Sequence, residues 1–150
     1  MSLGIRKEKQ NSFVFINEIC SRNASIASND HDKADDYIEL YNTLDQDLTL
    51  DGWFLSDDAD NLELQSLSDI VIPAHGFKVL YADGVGEAEN SLCFKISQTG
   101  ESLFLINPEG EIVNQIYVPK LAMDTTYARV SDGSKKWDVL EGTPGVSNNE

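Results

Sequence analysis

Positive charge is scarce in this chain. Eleven Lys and Arg stand against twenty-six Asp and Glu, a formal net charge of −15 over 150 residues. A phosphate backbone is repelled by such a field unless a local basic patch overcomes it. The longest basic run is Lys135-Lys136 before Trp137, a small patch rather than a footprint, so nucleic acid is not expected as a partner. Cysteine is almost absent too. Cys20 and Cys93 are too few for a disulfide framework, and each lies in an apolar stretch, where a small buried thiol is expected. With His31 and His75 they nominally make a Cys₂His₂ set, but the C-x₂-C spacing of a zinc site is missing. No apolar run approaches the 18 or so residues of a membrane-spanning helix. The apolar run Phe13 to Ile16 stops at Asn17-Glu18, shorter than a secretory signal needs. No window repeats apolar residues at helical spacing for three turns, and no strand–helix alternation is present, which argues against a parallel sheet.

What is there is a succession of short β-branched and aromatic runs separated by turn residues. Residues 1–12 are polar and read as a flexible leader, and 13–148 as one domain. Phe13 to Cys20 reads as a strand, and Ser21 to Asp36 as a polar loop. In Tyr37-Ile38-Glu39-Leu40-Tyr41-Asn42 the alternation is clean: Ile38 and Leu40 point one way, Tyr37, Glu39 and Tyr41 the other. Strands follow at Leu48–Leu50, Trp53–Leu55, Ile70–Ile72, Phe77–Tyr81 and Phe94–Ser97. Ser102–Ile106 and Glu111–Tyr117 flank Asn107-Pro108-Glu109-Gly110, the clearest hairpin in the chain. Thr126–Val130, a turn at Asp132-Gly133-Ser134, Trp137 and Thr143-Pro144-Gly145 close it. Many short strands in one domain predict an all-β antiparallel sandwich or barrel.

The order of these motifs resembles the lamin tail domain, in its bacterial form more than its nuclear one. The residues that carry the resemblance are Ile16-Asn17-Glu18-Ile19, Tyr37 to Asn42, Leu48 to Asp57, Ile72-Pro73-Ala74-His75-Gly76, Thr99 to Leu103, Asn107 to Gly110, Tyr127-Ala128-Arg129, Asp132-Gly133-Ser134 and Thr143 to Asn148. The resemblance implies an immunoglobulin-like antiparallel β-sandwich and no catalytic residues. In animals the family sits at the end of lamin filaments and engages proteins and chromatin. In bacteria it resembles an accessory module of exported or surface proteins. This chain carries no heptad repeat, so the filament role does not transfer.

Three charges and one loop stand out as site candidates. Glu18 and Glu39 lie inside apolar strands, where a carboxylate is costly unless paired, and Arg129 is one of three arginines, in the closing strand. A structural role for Arg129 is expected, as an ion pair with one of these glutamates or as a backbone clamp. Asp57, Asp58, Asp60 and Asn61 gather oxygen ligands of the kind Ca²⁺ takes, as do Asp30, Asp32, Asp35 and Asp36, though neither run fits the EF-hand spacing. Gly100-Glu101-Ser102 is half of a nucleophile elbow without its second glycine. The expectation is a non-catalytic module with a protein or cell-surface partner, extracellular or surface-bound, contacted through strand edges and the acidic loops 29–36 and 56–61. A calcium-dependent binder of a cell-surface polymer is the alternative.

Overall fold

The computed structural model describes residues 13–25 and 35–148. Eleven strands run β1 (Val14–Cys20), β2 (Tyr37–Asn42), β3 (Leu48–Thr49), β4 (Phe54–Ser56), β5 (Gln65–Ser66), β6 (Val71–Ile72), β7 (Phe77–Tyr81), β8 (Glu101–Ile106), β9 (Ile112–Val118), β10 (Thr125–Arg129) and β11 (Trp137–Glu141). Five of them form one sheet in the order β11-β10-β1-β2-β7, four form a second in the order β5-β4-β8-β9, and β3 and β6 make a short ladder. Every paired strand is antiparallel. The chain is an all-β sandwich of the immunoglobulin-like kind. Among the described residues no helix is long and apolar enough to cross a membrane.

The core lies between the two sheets. Ile16, Ile19, Ile38, Leu40 and Leu80 come from the five-stranded sheet, and Leu55, Leu103, Leu105, Ile116 and Val118 from the other. Their spacing is the period of two that a sheet with one buried face demands. The alternate residues Phe104, Ile106 and Ile112 form a small second cluster with Phe54 and Leu62.

One irregularity sets the rest of the molecule. In β1 the register slips between Ile16, which faces Leu40, and Glu18, which faces Glu39. Asn17 is the extra residue of a β-bulge, and an extra residue inverts the alternation. Ile16 and Ile19 therefore both point to the core, while Phe15, Glu18 and Cys20 share the outer face with Tyr41, Glu39 and Tyr37. Without the bulge Glu18 would be driven into the apolar core.

Beyond one-residue shifts at strand ends, the strands differ from the sequence reading in three places. Phe94–Ser97 is irregular: Phe94 and Ile96 enter the core, but the Ser97 N–H goes to the Glu101 side chain instead of a strand partner. Gln65–Ser66 and Trp137–Glu141 are strands, both at sheet edges, where one side of the ladder is open and the apolar signal is weak. Cys20 and Cys93 are free thiols, Cys20 buried and Cys93 half-buried, and burial pushes the Cys20 thiol up to about 12. Residues 1–12, His31, Asp30 and Asp32 lie outside the described residues.

Candidate functional site: a carboxylate pair beneath the C-terminal segment

Glu18 and Glu39 are direct cross-strand neighbours, and neither has any solvent exposure. Like charges in that position destabilise a sheet unless something compensates. The compensation comes from residues 143–148, which run across the outer face of β1 and β2. Thr143, Pro144, Gly145 and Val146 form a turn closed by Val146 N–H to Thr143 O at 3.1 Å. Gly145 occupies the third position at φ +80°, a conformation that favours glycine. That turn aims its free donors at the carboxylates. Thr143 N–H donates to Glu18 Oε2 at 3.0 Å, and Thr143 Oγ1 lies 2.7 Å from Glu18 Oε1. The Tyr37 hydroxyl donates to Glu18 Oε2 at 2.5 Å. Gly145 N–H donates to Glu39 Oε2 at 2.6 Å.

A third carboxylate anchors the far end. Asp132, in the β10–β11 turn, accepts from Asn148 N–H at 2.8 Å, Ser147 Oγ at 2.7 Å and Asn17 Nδ2 at 3.0 Å. The bulge residue Asn17 in turn takes Gly133 N–H at 3.1 Å. Asn148 Nδ2 returns to the carbonyls of Asn17 and Arg129 at 3.2 and 2.9 Å. Bulge, turn and C-terminal segment are thus one hydrogen-bonded unit.

The unit leaves one loose end. Glu39 Oε1 is buried and has no hydrogen-bond partner. Burial is the main cause that pushes the Glu39 carboxyl up to about 8, with the charges of Glu18 and Asp132 adding to it and the Gly145 N–H and Asn17 amide opposing it. Glu39 therefore carries a proton at neutral pH. Burial and then Glu18 also raise the Tyr37 phenol, which stays a donor.

Ala128, not Arg129, stands opposite Glu18. The Arg129 Nε donates to Ile16 O at 2.8 Å and its Nη1 to Ser134 O at 2.5 Å. The guanidinium lies over the rings of Phe15 and Trp137 at 4.9 and 4.7 Å. These contacts with carbonyls are those of a backbone clamp. Arg129, 4% exposed, ties β1, β10 and the β10–β11 turn together through carbonyls.

The acidic loop 56–61 is organised around Ser56. Its Oγ accepts Asp58 N–H at 2.9 Å and lies 2.7 Å from Asn61 O, while Asp58 Oδ1 accepts Asp60 N–H at 2.9 Å. Asp58, Asp60 and Asn61 are exposed. Asp57 turns instead to Glu101 at the start of β8. Burial first, and then this neighbour, raise the Glu101 carboxyl to about 7; burial raises Asp57 as well. Among the described residues no group of three or more His, Cys, Asp or Glu is arranged to hold a metal ion.

The remaining candidates fall to ordinary structural roles. Trp53 is a core residue, and Trp137 stacks on Tyr127 at 5.1 Å, so neither ring stands free for a base. Asn23 of the sequon Asn23-Ala24-Ser25 is buried, with Nδ2 donating to Asp35 O at 2.8 Å. A surface groove of about 290 Å³ lies among Arg22, Asp35, Asp36, Lys95 and Gln98, and another of about 350 Å³ among Gln65, Ser68, Lys78 and Ser91. Neither includes Glu18 or Glu39. The sequence reading missed Asn17, Tyr37, Asp132, Thr143, Gly145 and Glu101 as site residues. The turn signals at Asp132-Gly133-Ser134 and Thr143-Pro144-Gly145 were the available clue, since a turn presents backbone N–H groups that need acceptors.

Residues 7–120 match the family model described as Lamin Tail Domain. Neither the curated proteins nor the solved structures yield a match. The matched span ends before β10, so Arg129, Asp132 and the segment 143–148 lie beyond it.

Proposed function

The chain belongs to the lamin tail domain family, a family of non-enzymatic immunoglobulin-like interaction domains, and on that premise we propose that it is a non-catalytic accessory module that docks a larger, exported protein onto a protein or surface partner. The observation that carries this reading is the closure of the acids that are fully buried among the described residues. Glu18 and Glu39 face the chain's own N–H and O–H groups, with no exposure through which a substrate could reach them. A general acid must come within hydrogen-bond reach of its substrate. Contact surface lies elsewhere, on the two edges that end long strands: Tyr117 on β9 is 61% exposed and Val139 on β11 is 49% exposed. An open edge with an exposed aromatic suits recruitment of a partner.

Immobilised wild-type chain and the variants Tyr117→Lys and Val139→Lys, presented to intact cells and surface extracts, test this. The expected outcome is a retained protein or surface polymer lost with at least one edge variant. Turnover of ester, peptide or phosphodiester substrates that disappears in Glu39→Gln would overturn it.

The second reading, a calcium-dependent binder of a cell-surface polymer, draws on the meeting of Asp57 with Glu101. Burial raises both half-buried carboxyls and Asp57 raises Glu101 further, and oxygens gathered in this way are also drawn to a divalent cation. Asp58, Asp60 and Asn61 would then complete the oxygen set from the same loop.

A further inference from the structure

We infer that residues 143–148 are a proton-operated latch: with a proton on the Glu18–Glu39 pair the segment is shut on β1 and β2, and with both acids ionised it lifts away while the sandwich stays folded. The inference is independent of which partner the domain binds.

The geometry supports a latch rather than a fixed strut. Residues 143–148 belong to no strand and hold to the outer face through side chains and single N–H donors. The core between the sheets does not use them; its buried cluster runs to Leu121, with Tyr127 and Trp137 packed against it. What they cover is the carboxylate row. Glu39 faces Glu18 on β1 and Val79 on β7, with Tyr37 and Tyr41 beside it on β2, Asp132 from the β10–β11 turn, and Asn17 and Gly145 N–H as donors. Of the cations on these elements, Lys78 stands opposite Leu40, and the Arg129 guanidinium donates to the carbonyls of Ile16 and Ser134. Buried Glu39 Oε1 has no hydrogen-bond donor, so its negative charge is best relieved by water.

Lifting the segment admits that water. Linkage then fixes the direction. A carboxyl that holds its proton more tightly under the closed segment than in the open state favours closure at low pH and loses that preference as pH rises. Loss of the proton requires no other reactant than solvent. The open state uncovers Tyr37, Glu39 and Glu18 on a face already flanked by the half-buried Tyr41, Phe77 and Tyr81.

Amide hydrogen exchange of the full chain between pH 5.5 and 9, corrected for the intrinsic rate, tests the latch. Protection at Thr143 and Gly145 is expected to fall by up to about tenfold per pH unit until about pH 8 and then level off. Protection at Leu105 in the core is expected to stay higher throughout. In Glu39→Gln the Gly145 protection is expected to be flat with pH. Exchange of Gly145 at the same rate as Leu105 at every pH would mean that the segment opens only by global unfolding, and the latch idea fails. An unchanged pH slope in Glu39→Gln overturns it equally. If that variant does not fold, carbon-13 titration of the wild-type side chains decides: the Glu39 carboxyl and the Gly145 amide must titrate with one midpoint, and separate midpoints reject the latch.

Discussion

Glu18 and Glu39 meet between two strands beneath residues 143–148, whereas Asp57 and Glu101 meet at the rim, where a loop passes the start of β8. Both are pairs of like acids, and in both one carboxyl is raised well above its ordinary range by burial first and its neighbour second. They differ in what surrounds them. The inner pair is fully buried and receives Tyr37 and residues of the C-terminal segment as donors, while the outer pair is half-buried and the Ser97 N–H is the donor to Glu101. The comparison separates two uses of one chemistry. An acid pair between strands organises the backbone that covers it; an acid pair at a loop is held only by what water leaves unscreened.

Removing one inner acid should produce the largest effect. Glu18→Ala leaves the Tyr37 hydroxyl and the Thr143 N–H buried without an acceptor, a loss of about 2–4 kcal/mol in urea unfolding. Asp57→Ala should stay under about 0.5 kcal/mol in the same assay. Equal effects would erase the distinction between the pairs.

Arg129→Ala comes next. It strips donors from the carbonyls of Ile16 and Ser134 and should cost about 2–3 kcal/mol, with Arg129→Lys recovering only part because an ammonium lacks the planar fork. If Arg129 acts as a backbone clamp alone, Arg129→Ala and Glu18→Gln should add to within about 0.5 kcal/mol. A larger coupling would bring the ion pair back.

pH sharpens the contrast further. Glu39 holds its proton up to about 8 when folded, against an ordinary 4.5, so the folded state binds the proton more tightly than the unfolded. Its contribution to stability is complete below about 4.5 and drains away as pH rises through 8. Between pH 6 and 8 the loss should be about 2 kcal/mol, absent in Glu39→Gln. Glu101 acts in the same sense but over the window from 4.5 to about 7, and its half-exposed position makes it smaller and sensitive to salt. Unfolding at pH 6 and 8, in low and in about 1 M salt, separates them: the Glu39 part survives salt and the Glu101 part does not.

The sequence made the sandwich legible because its strands announce themselves locally. Tyr37 to Asn42 alternates, and Asn107-Pro108-Glu109-Gly110 turns between two apolar runs; both needed only neighbours in the chain. Glu18 and Glu39 stood out for the same reason, as charges in apolar strands. Their partners did not, because the partners are set by long-range geometry. Thr143 is 125 residues from Glu18, and Gly145 is 106 from Glu39. The bulge at Asn17 was hidden as well, since Phe13 to Cys20 reads as one unbroken strand, and it is the bulge that turns Glu18 outward. Opposite charge suggested a partner for Arg129, but which carbonyls it meets depends on the fold.

The smallest expected effect falls on the outer acids. If Asp57 and Glu101 only share a proton at the rim, millimolar Ca²⁺ should leave the melting temperature within about 1 °C of its metal-free value, because a site that binds weakly adds little by mass action. The loop geometry favours that outcome: Asp58 Oδ1 is already engaged by Asp60 N–H, and Ser56 holds the loop closed on itself at Asp58 and Asn61. A rise of several degrees that vanishes in both Asp57→Ala and Glu101→Gln would instead make the outer pair the nucleus of a calcium site. The comparison would then read differently, with the inner acids holding the chain and the outer ones holding an ion.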